Sequence, residues 1–182
     1  NDHGVEKGKG TLYDGGIKTV SFAWGPKYFK SGIRSKQLVS NIDMVPTALE
    51  LAKVDPKKAY KIDGSSMLPL LQGKDKPIHE SLYFEMGATR AVIKDGYKYL
   101  SFKAPQSIKN KLEKNGKKAT HICDKPGGRG SESPALKFYA KNYFDSDQLY
   151  DLSADPKEQQ NLYGEFKNSI KLYDLKKTLQ SY

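Results

Sequence analysis

Three short apolar runs separated by tight turns constrain the fold of the second half of this chain. The runs 81–85, 89–93 and 97–102 are rich in aromatic and β-branched residues, which is typical of strands. Asp95-Gly96 lies between the second and third runs, and this dipeptide is the strongest short signal for a β-hairpin. Because residues 148–152 predict a further strand, we expect a small antiparallel sheet.

The first half of the chain predicts a mixture of strand and helix. Residues 17–24 are apolar with β-branched members and predict a short buried strand. Residues 40–54 predict a helix with Asp43 as its N-cap and Pro46 in its first turn. The apolar residues of this helix recur at helical spacing and are expected to face a core. They are Ile42, Val45, Leu49 and Ala52.

The C-terminal part predicts an insertion followed by helical structure. Residues 104–143 are rich in Lys, Gly, Ser and Pro with weak periodicity, which favours a long surface insertion. Asp155, Pro156 and Glu158 occupy the spacing of a helix N-cap, first and third positions, so a helix is expected to begin there. Residues 162–182 are also expected to be helical.

These elements predict two domains. Residues 1–77 are expected to be the end of a large α/β domain, and residues 78–182 a sheet-and-helix subdomain carrying the insertion. The chain begins at Asn1 with neither Met nor a leader, so we expect a truncated or processed chain. No apolar run approaches the roughly 20 residues that span a bilayer, so no membrane span is expected.

Charge and cysteine content narrow the range of partners. The formal net charge is +10, but only Arg34, Arg90 and Arg129 among the 31 basic residues are arginines. Nucleic-acid readers favour arginine, so a solvated lysine surface or an anionic partner is expected before specific nucleic-acid binding. The single cysteine, Cys123, is expected to be a small buried apolar residue. His79 is expected to be solvated.

The chain opens with a cluster of candidate site residues. Asp2 offers a hard oxygen ligand and His3 a nitrogen ligand, and Lys9 places a cation a few residues away. This combination suits an oxyanion that bridges a metal ion and an ammonium group. Because Asp-His pairs are common, a solvated loop is the alternative on these residues alone.

A series of motifs in order resembles the sulfatase family. Residues 2–4, Asp-His-Gly, and 8–16, Gly-Lys-Gly-Thr-Leu-Tyr-Asp-Gly-Gly, are similar to the family's second signature region. Residues 40–47 resemble its Asp-x-x-Pro-Thr helix start, and residues 63–73 its Asp-Gly-x-Ser and Pro-Leu-Leu-x-Gly run. The strand motifs of its C-terminal sheet are matched at two further places. They are residues 90–99 and 149–162.

The resemblance implies a fold and a set of site residues. It implies the C-terminal part of an alkaline-phosphatase-like α/β sulfatase fold, ending in a small antiparallel β-sheet packed with a C-terminal helix. Asp2 and His3 would be calcium ligands and Lys9 the sulfate-binding lysine. Arg90 is expected to be an ion-pair partner in the sheet, with substrate contact as the less favoured alternative. Asp14 stands where the family usually has Glu, and it keeps the charge.

The family's nucleophile has no counterpart in this chain. It is a formylglycine made from Cys or Ser in a Cys/Ser-x-Pro/Ala-x-Arg motif, and Cys123-Asp124-Lys125-Pro126 does not match it. The family's first pair of calcium aspartates is also missing and is expected upstream. The resemblance therefore implies that this chain alone is inactive and does not hold calcium by itself.

The resemblance implies hydrolysis of sulfate esters by the intact protein. Its partners would be a sulfated small molecule or sulfated glycan and the missing N-terminal part of the sulfatase, in an exported protein. Two alternatives stay open, and the sequence gives neither the substrate nor the oligomeric state. One is a phosphate or phosphonate ester hydrolase of the same superfamily, and the other is a non-catalytic binding module for anionic polysaccharide.

Overall fold

A computed structural model describes residues 8, 10–55, 61–114, 116, 142–143 and 145–182. They form two compact units, one of residues 20–82 and one of the described parts of 1–19 with 83–182. Within these described ranges, no helix is both long enough and apolar enough to cross a membrane.

The described elements are short helices and one four-stranded sheet. The helices are α1 (Asp14–Ile17), α2 (Met44–Leu51), α3 (Leu68–Leu71), α4 (Gln106–Glu113) and α5 (Ile170–Gln180). A 3-10 turn at Asn41–Asp43 precedes α2. The strands are β1 (Ser81–Met86), β2 (Thr89–Lys94), β3 (Tyr97–Phe102) and β4 (Asp147–Asp151), in the order β1-β2-β3-β4.

The predicted antiparallel sheet is confirmed. β2 pairs antiparallel with β3, placing Ala91 opposite Leu100, and β3 pairs antiparallel with β4. Asp95 and Gly96 connect β2 to β3 with φ values of 50° and 76°. Positive φ at both central residues is what a type I′ hairpin turn requires, which explains why Asp-Gly is favoured there.

Each face of the sheet packs against a different part of the chain. On one face, Ala91, Leu100 and Tyr150 form a cluster with Leu12 and Tyr13 from the N-terminal segment. The opposite face packs against α5, and its cluster consists of Val92, Tyr99, Leu149, Leu172 and Leu175. Because side chains alternate along a strand, one sheet can bury both layers. The N-terminal segment therefore packs with the C-terminal sheet, which the sequence patterns did not indicate.

The prediction of a buried strand over residues 17–24 is wrong. Ile17 ends α1, and the residues after it are irregular. Val20, Phe22 and Trp24 expose 91%, 91% and 83% of their surface. The run is apolar and β-branched, but in the described part of the chain no strand pairs with it.

The predicted helix near residues 40–54 is present, but its expected buried face is exposed. Ile42 is 48% exposed and Val45 is 57% exposed. Pro46 and Thr47 are instead the buried residues of α2. The helix is therefore present as predicted, but the expected burial of Ile42 and Val45 is wrong, while Leu49 is half-buried.

Long-range contacts override local signals in the C-terminal part. No helix begins at Asp155, because Glu158 adopts a left-handed φ of 56° and turns its side chain into the protein. Helix α5 begins later, where the Ser169 hydroxyl accepts from the Leu172 N–H. Helix α4 also lies inside the segment predicted as an irregular insertion. Cys123 and most of that insertion lie outside the described residues.

Candidate functional site

The segment that leads into α1 is a compact loop. Thr11, Leu12 and Tyr13 are buried, and the Thr11 hydroxyl donates to the Gly8 carbonyl at 2.9 Å. Gly10 has a φ of 88°, a left-handed conformation that glycine adopts without strain. Gly8 and Gly10 flank Lys9 in the sequence, and the Thr11 contact fixes the backbone at Gly8, directly before that lysine.

Gly16 allows this loop to close. A Cβ atom added at Gly16 would lie 2.2 Å from the Thr11 carbonyl oxygen and 2.8 Å from the Gly8 carbonyl oxygen. Both distances are far below van der Waals contact, and both atoms belong to the backbone. The second glycine of the Gly-Gly pair therefore has a packing reason, since residues 11–16 fold back towards Gly8.

A buried ion-pair cluster joins this loop to the sheet. Lys98 on β3 is 0% exposed, and its Nζ lies 2.6 Å from Asp14 Oδ1 and 2.8 Å from Glu158 Oε1. Glu158 also accepts the backbone N–H of Asp14 at 2.7 Å. Lys98 shares its face of β3 with Leu100, so the cluster lies beside the aromatic core under the loop.

Opposing effects act on the pKa of Glu158 in this cluster. Burial raises the pKa of Glu158, while the Lys98 ammonium group and the Asp14 N–H oppose that rise. Two carboxylates share one lysine here, so Lys98 holds in place a negative charge that burial alone would neutralise. Any loss of Lys98 shifts Glu158 towards its protonated form.

A separate network of uncharged hydrogen-bonding groups also lies under the loop. Tyr13 and Tyr150 both donate their hydroxyls to Gln148 Oε1 at 2.7 Å. Gln148 Nε2 donates to the Asn142 carbonyl at 2.8 Å, and Asn142 Nδ2 donates to the Tyr150 hydroxyl. Burial raises the pKa of both tyrosines, so they stay protonated and act as donors. Tyr13 is thereby held in a single orientation.

Residues 20–82 contain a second polar centre around Asp43. This carboxylate accepts the N–H groups of Ser40 and Ser65 at 2.7 and 2.9 Å, and His79 Nε2 lies 2.8 Å from it. The prediction that His79 is solvated is therefore wrong. The Asp43 side chain is fully buried, so it needs these partners. Asp43 lies in the 3-10 turn before α2 and ties the helix start to two later loops.

Arg90 is engaged within its own hairpin. Its Nη2 lies 2.8 Å from Glu85 Oε1, and its Nη1 donates to the carbonyls of Gly87 and Thr89. This is the ion pair that the sequence favours over substrate contact. A role in binding substrate stays a prediction.

The other predicted site residues, Asp2, His3 and Lys9, lie outside the described residues. Among the residues that are described, no group of three His, Cys, Asp or Glu side chains could hold a metal ion. The calcium site therefore stays a prediction for Asp2 and His3, which are outside those residues.

Comparison with known proteins identifies the family of this chain. Residues 2–106 match the family described as N-sulphoglucosamine sulphohydrolase, C-terminal. The chain is 33% identical over 172 residues to an ulvan-active sulfatase of Formosa agariphila, covering 88% of this chain. The chain belongs to the sulfatase family. It is also 29% identical over 161 residues to human arylsulfatase A, covering 86% of this chain.

This sulfatase chain spans about a third of the relatives that it matches. It covers 32% of the Formosa agariphila sulfatase and 28% of human arylsulfatase A. Its fold is similar to that of a protein solved with its substrate D-glucosamine-2-N,6-O-disulfate, with a TM-score of 0.55 and 21% identity. That match covers 86% of this chain and 26% of the other. The expected C-terminal sulfatase fold, a small antiparallel sheet with a C-terminal helix, is confirmed.

Proposed function

We propose that this chain is the C-terminal part of an enzyme that hydrolyses sulfate esters. The observation that carries the proposal is the family match over residues 2–106, which includes Asp2, His3 and Lys9. The described loop supports it, since the buried contacts of Gly8, Thr11 and Tyr13 give the lysine motif a defined frame. A flexible surface loop would need none of these contacts.

Lys9 binds the sulfate group of the substrate in this proposal. An ammonium group aimed at sulfate oxygens gains strength as negative charge develops on them during S–O cleavage. Asp2 and His3 are proposed as late ligands of a calcium ion whose remaining ligands lie outside this chain. When bound, calcium would supply further positive charge to the sulfate oxygens.

The partner proposed for this chain is the N-terminal part of a sulfatase. Two exposed apolar surfaces in residues 20–82 support it: Val20, Phe22 and Trp24 on the segment after α1, and Ile42 and Val45 at α2. Exposed aromatic and aliphatic groups in such numbers are typical of a surface that another layer covers. The relatives are about three times as long as the matched region, so they contain enough chain to form that layer.

A sulfated small molecule or a sulfated glycan is proposed as the substrate. The names of the relatives favour a glycan, since they include an ulvan-active sulfatase and, at 42% identity over 74 residues, human N-acetylgalactosamine-6-sulfatase. The latter match covers 39% of this chain and 14% of that protein. Export from the cell is proposed with it, because a sulfated polysaccharide is too large to cross a membrane unaided.

Assayed alone, this chain should show no sulfatase activity. It contains no Cys/Ser-x-Pro/Ala-x-Arg motif from which the formylglycine nucleophile could be made. The measurement is turnover of a chromogenic aryl sulfate with calcium present, for this chain and for the protein extended by the upstream sulfatase part. The Lys9→Ala variant of this chain is the control, and turnover well above that control would refute the prediction.

Calcium should not raise the melting temperature of this chain alone. Asp2 and His3 supply at most two or three ligand atoms, whereas calcium takes roughly six to eight. The extended protein should be stabilised by calcium, because a ligand that binds only the folded state shifts unfolding by mass action. Thermal melts of this chain and of the extended protein, each with millimolar calcium and with chelator, measure the two effects. A calcium-dependent rise in this chain that Asp2→Ala abolishes would show a complete site here.

A further inference from the structure

We propose that Lys98 and Asp14, with Glu158, form a positioning cluster that sets the place of the sulfate-binding loop. This inference rests on the proposed function, because the loop at issue carries Lys9. It adds that residues in the C-terminal sheet, remote in sequence from the signature motif, tune catalysis through that loop. None of the three would touch the substrate.

The contacts form a continuous path from the sheet to the loop. Lys98 on β3 holds Asp14 Oδ1 at 2.6 Å, and Glu158 holds the Asp14 N–H at 2.7 Å. Asp14 begins α1, whose first turn is closed by the Gly16 N–H donating to the Tyr13 carbonyl at 2.8 Å. Thr11 then fixes Gly8 through its hydroxyl. Every link is made by a buried or half-buried group.

The choice of residue at position 98 also points to a positioning role. Position 98 shares its strand face with Leu100 and lies opposite Tyr150, so an apolar side chain would suit the pattern. Burying a lysine with two carboxylates is often no more stabilising than apolar packing. Its distinctive contribution is direction, because Lys98 holds the carboxylates of Asp14 and Glu158 together while Glu158 also accepts the Asp14 N–H. Because Gly16 lies against Thr11 and Thr11 holds Gly8, a fixed Asp14 also fixes the position of the loop.

A matched ion pair on the neighbouring strand serves as the control. Lys94 on β2 lies 2.6 Å from Asp174 on α5, with 23% of the Lys94 side chain exposed. That pair joins the sheet to α5 and makes no contact with the loop among the contacts described. Replacing Lys94 with Met therefore removes a lysine–carboxylate pair of the same unit while leaving the loop contacts in place.

The test is a set of kinetic measurements on the intact sulfatase that contains this chain, normalised to formylglycine content. Lys98→Met should lower kcat/KM for an aryl sulfate by about ten-fold or more, since small misplacements of a binding group cost that much. Asp14→Ala should lower kcat/KM in the same way. Because the Asp14 side chain is 15% exposed, this variant should fold even if Lys98→Met does not, and it then tests the same contact. Asp14→Glu, the residue usual in the family, should stay near wild type. Lys94→Met should also stay near wild type.

A double variant separates positioning from simple loss of stability. If Lys98 acts through Lys9, adding Lys98→Met to Lys9→Ala should change kcat/KM by no more than about two-fold, because the positioned group is already gone. Independent, multiplying effects would overturn the inference. So would near wild-type rates for Lys98→Met or Asp14→Ala while Lys9→Ala is strongly impaired. An unimpaired Lys9→Ala enzyme would instead refute the proposed function itself.

Discussion

Replacing Lys9 with Ala should lower kcat/KM of the intact sulfatase for an aryl sulfate by roughly a hundred-fold or more. The reason is that loss of one preorganised charge at the sulfate oxygens removes stabilisation that grows towards the transition state. Steady-state kinetics with calcium present measure this fall in kcat/KM. Because the interaction strengthens during reaction, kcat should fall as well as the apparent affinity.

A lysine two residues earlier offers a matched control. Lys7 belongs to the same glycine-rich stretch and lies outside the Gly-Lys-Gly-Thr motif. Lys7→Ala removes the same charge from the same region, so it corrects for general attraction of an anionic substrate to a basic protein. Equal effects of the two substitutions would assign Lys9 to long-range attraction and contradict a role in sulfate binding.

Replacing Lys98 with Met should destabilise the sheet-containing unit by about 3–5 kcal/mol at neutral pH. The substitution keeps the length of the side chain but removes the ammonium group that Asp14 and the buried Glu158 both contact, and Asp14 keeps only its longer pair with the exposed Lys18. Urea dependence of amide hydrogen exchange in β3 reports the free energy of unfolding of this unit. Lys94→Met should cost no more than about 1 kcal/mol, because its pair with Asp174 is partly exposed.

The cost of Lys98→Met should grow as the pH rises. Burial raises the pKa of Glu158, and losing the opposing effect of Lys98 raises it further above the usual 4.5. The folded variant then keeps a proton that the unfolded chain releases, so its free energy of unfolding falls with pH across that window. Comparison at about pH 5 and about pH 8 tests the sign. A deficit that is equal at both values would show that Glu158 stays ionised without Lys98.

Local patterns predicted the sheet because its determinants are local. The Asp95-Gly96 turn has the backbone that its sequence favours, and the strands alternate as their residues suggest. The end of the chain shows the opposite case. Asp155, Pro156 and Glu158 fit a helix start, yet Glu158 turns inward to Lys98, which is 60 positions away. A single sequence gives no sign of that partner.

The candidate site was predictable only through its motif. The Gly-Lys-Gly-Thr stretch indicates an anion-binding loop, but neither Lys98 nor Gln148 could be linked to it by spacing. One local sign was present: a lysine stands at position 98 between Tyr97 and Tyr99 in a mostly apolar strand, where a charge needs a partner. The exposed Val20, Phe22 and Trp24 were misjudged because strand composition does not say whether a pairing strand is present.

The most direct test of the account is the choice between sulfate and phosphate esters by the intact protein. With matched aryl sulfate and aryl phosphate substrates and calcium present, the account predicts faster turnover of the sulfate, dependent on Lys9 and on an upstream formylglycine. Faster turnover of the phosphate would assign the chain to a phosphate ester hydrolase. Binding of a sulfated polysaccharide without turnover of either ester would identify a non-catalytic module and contradict the account.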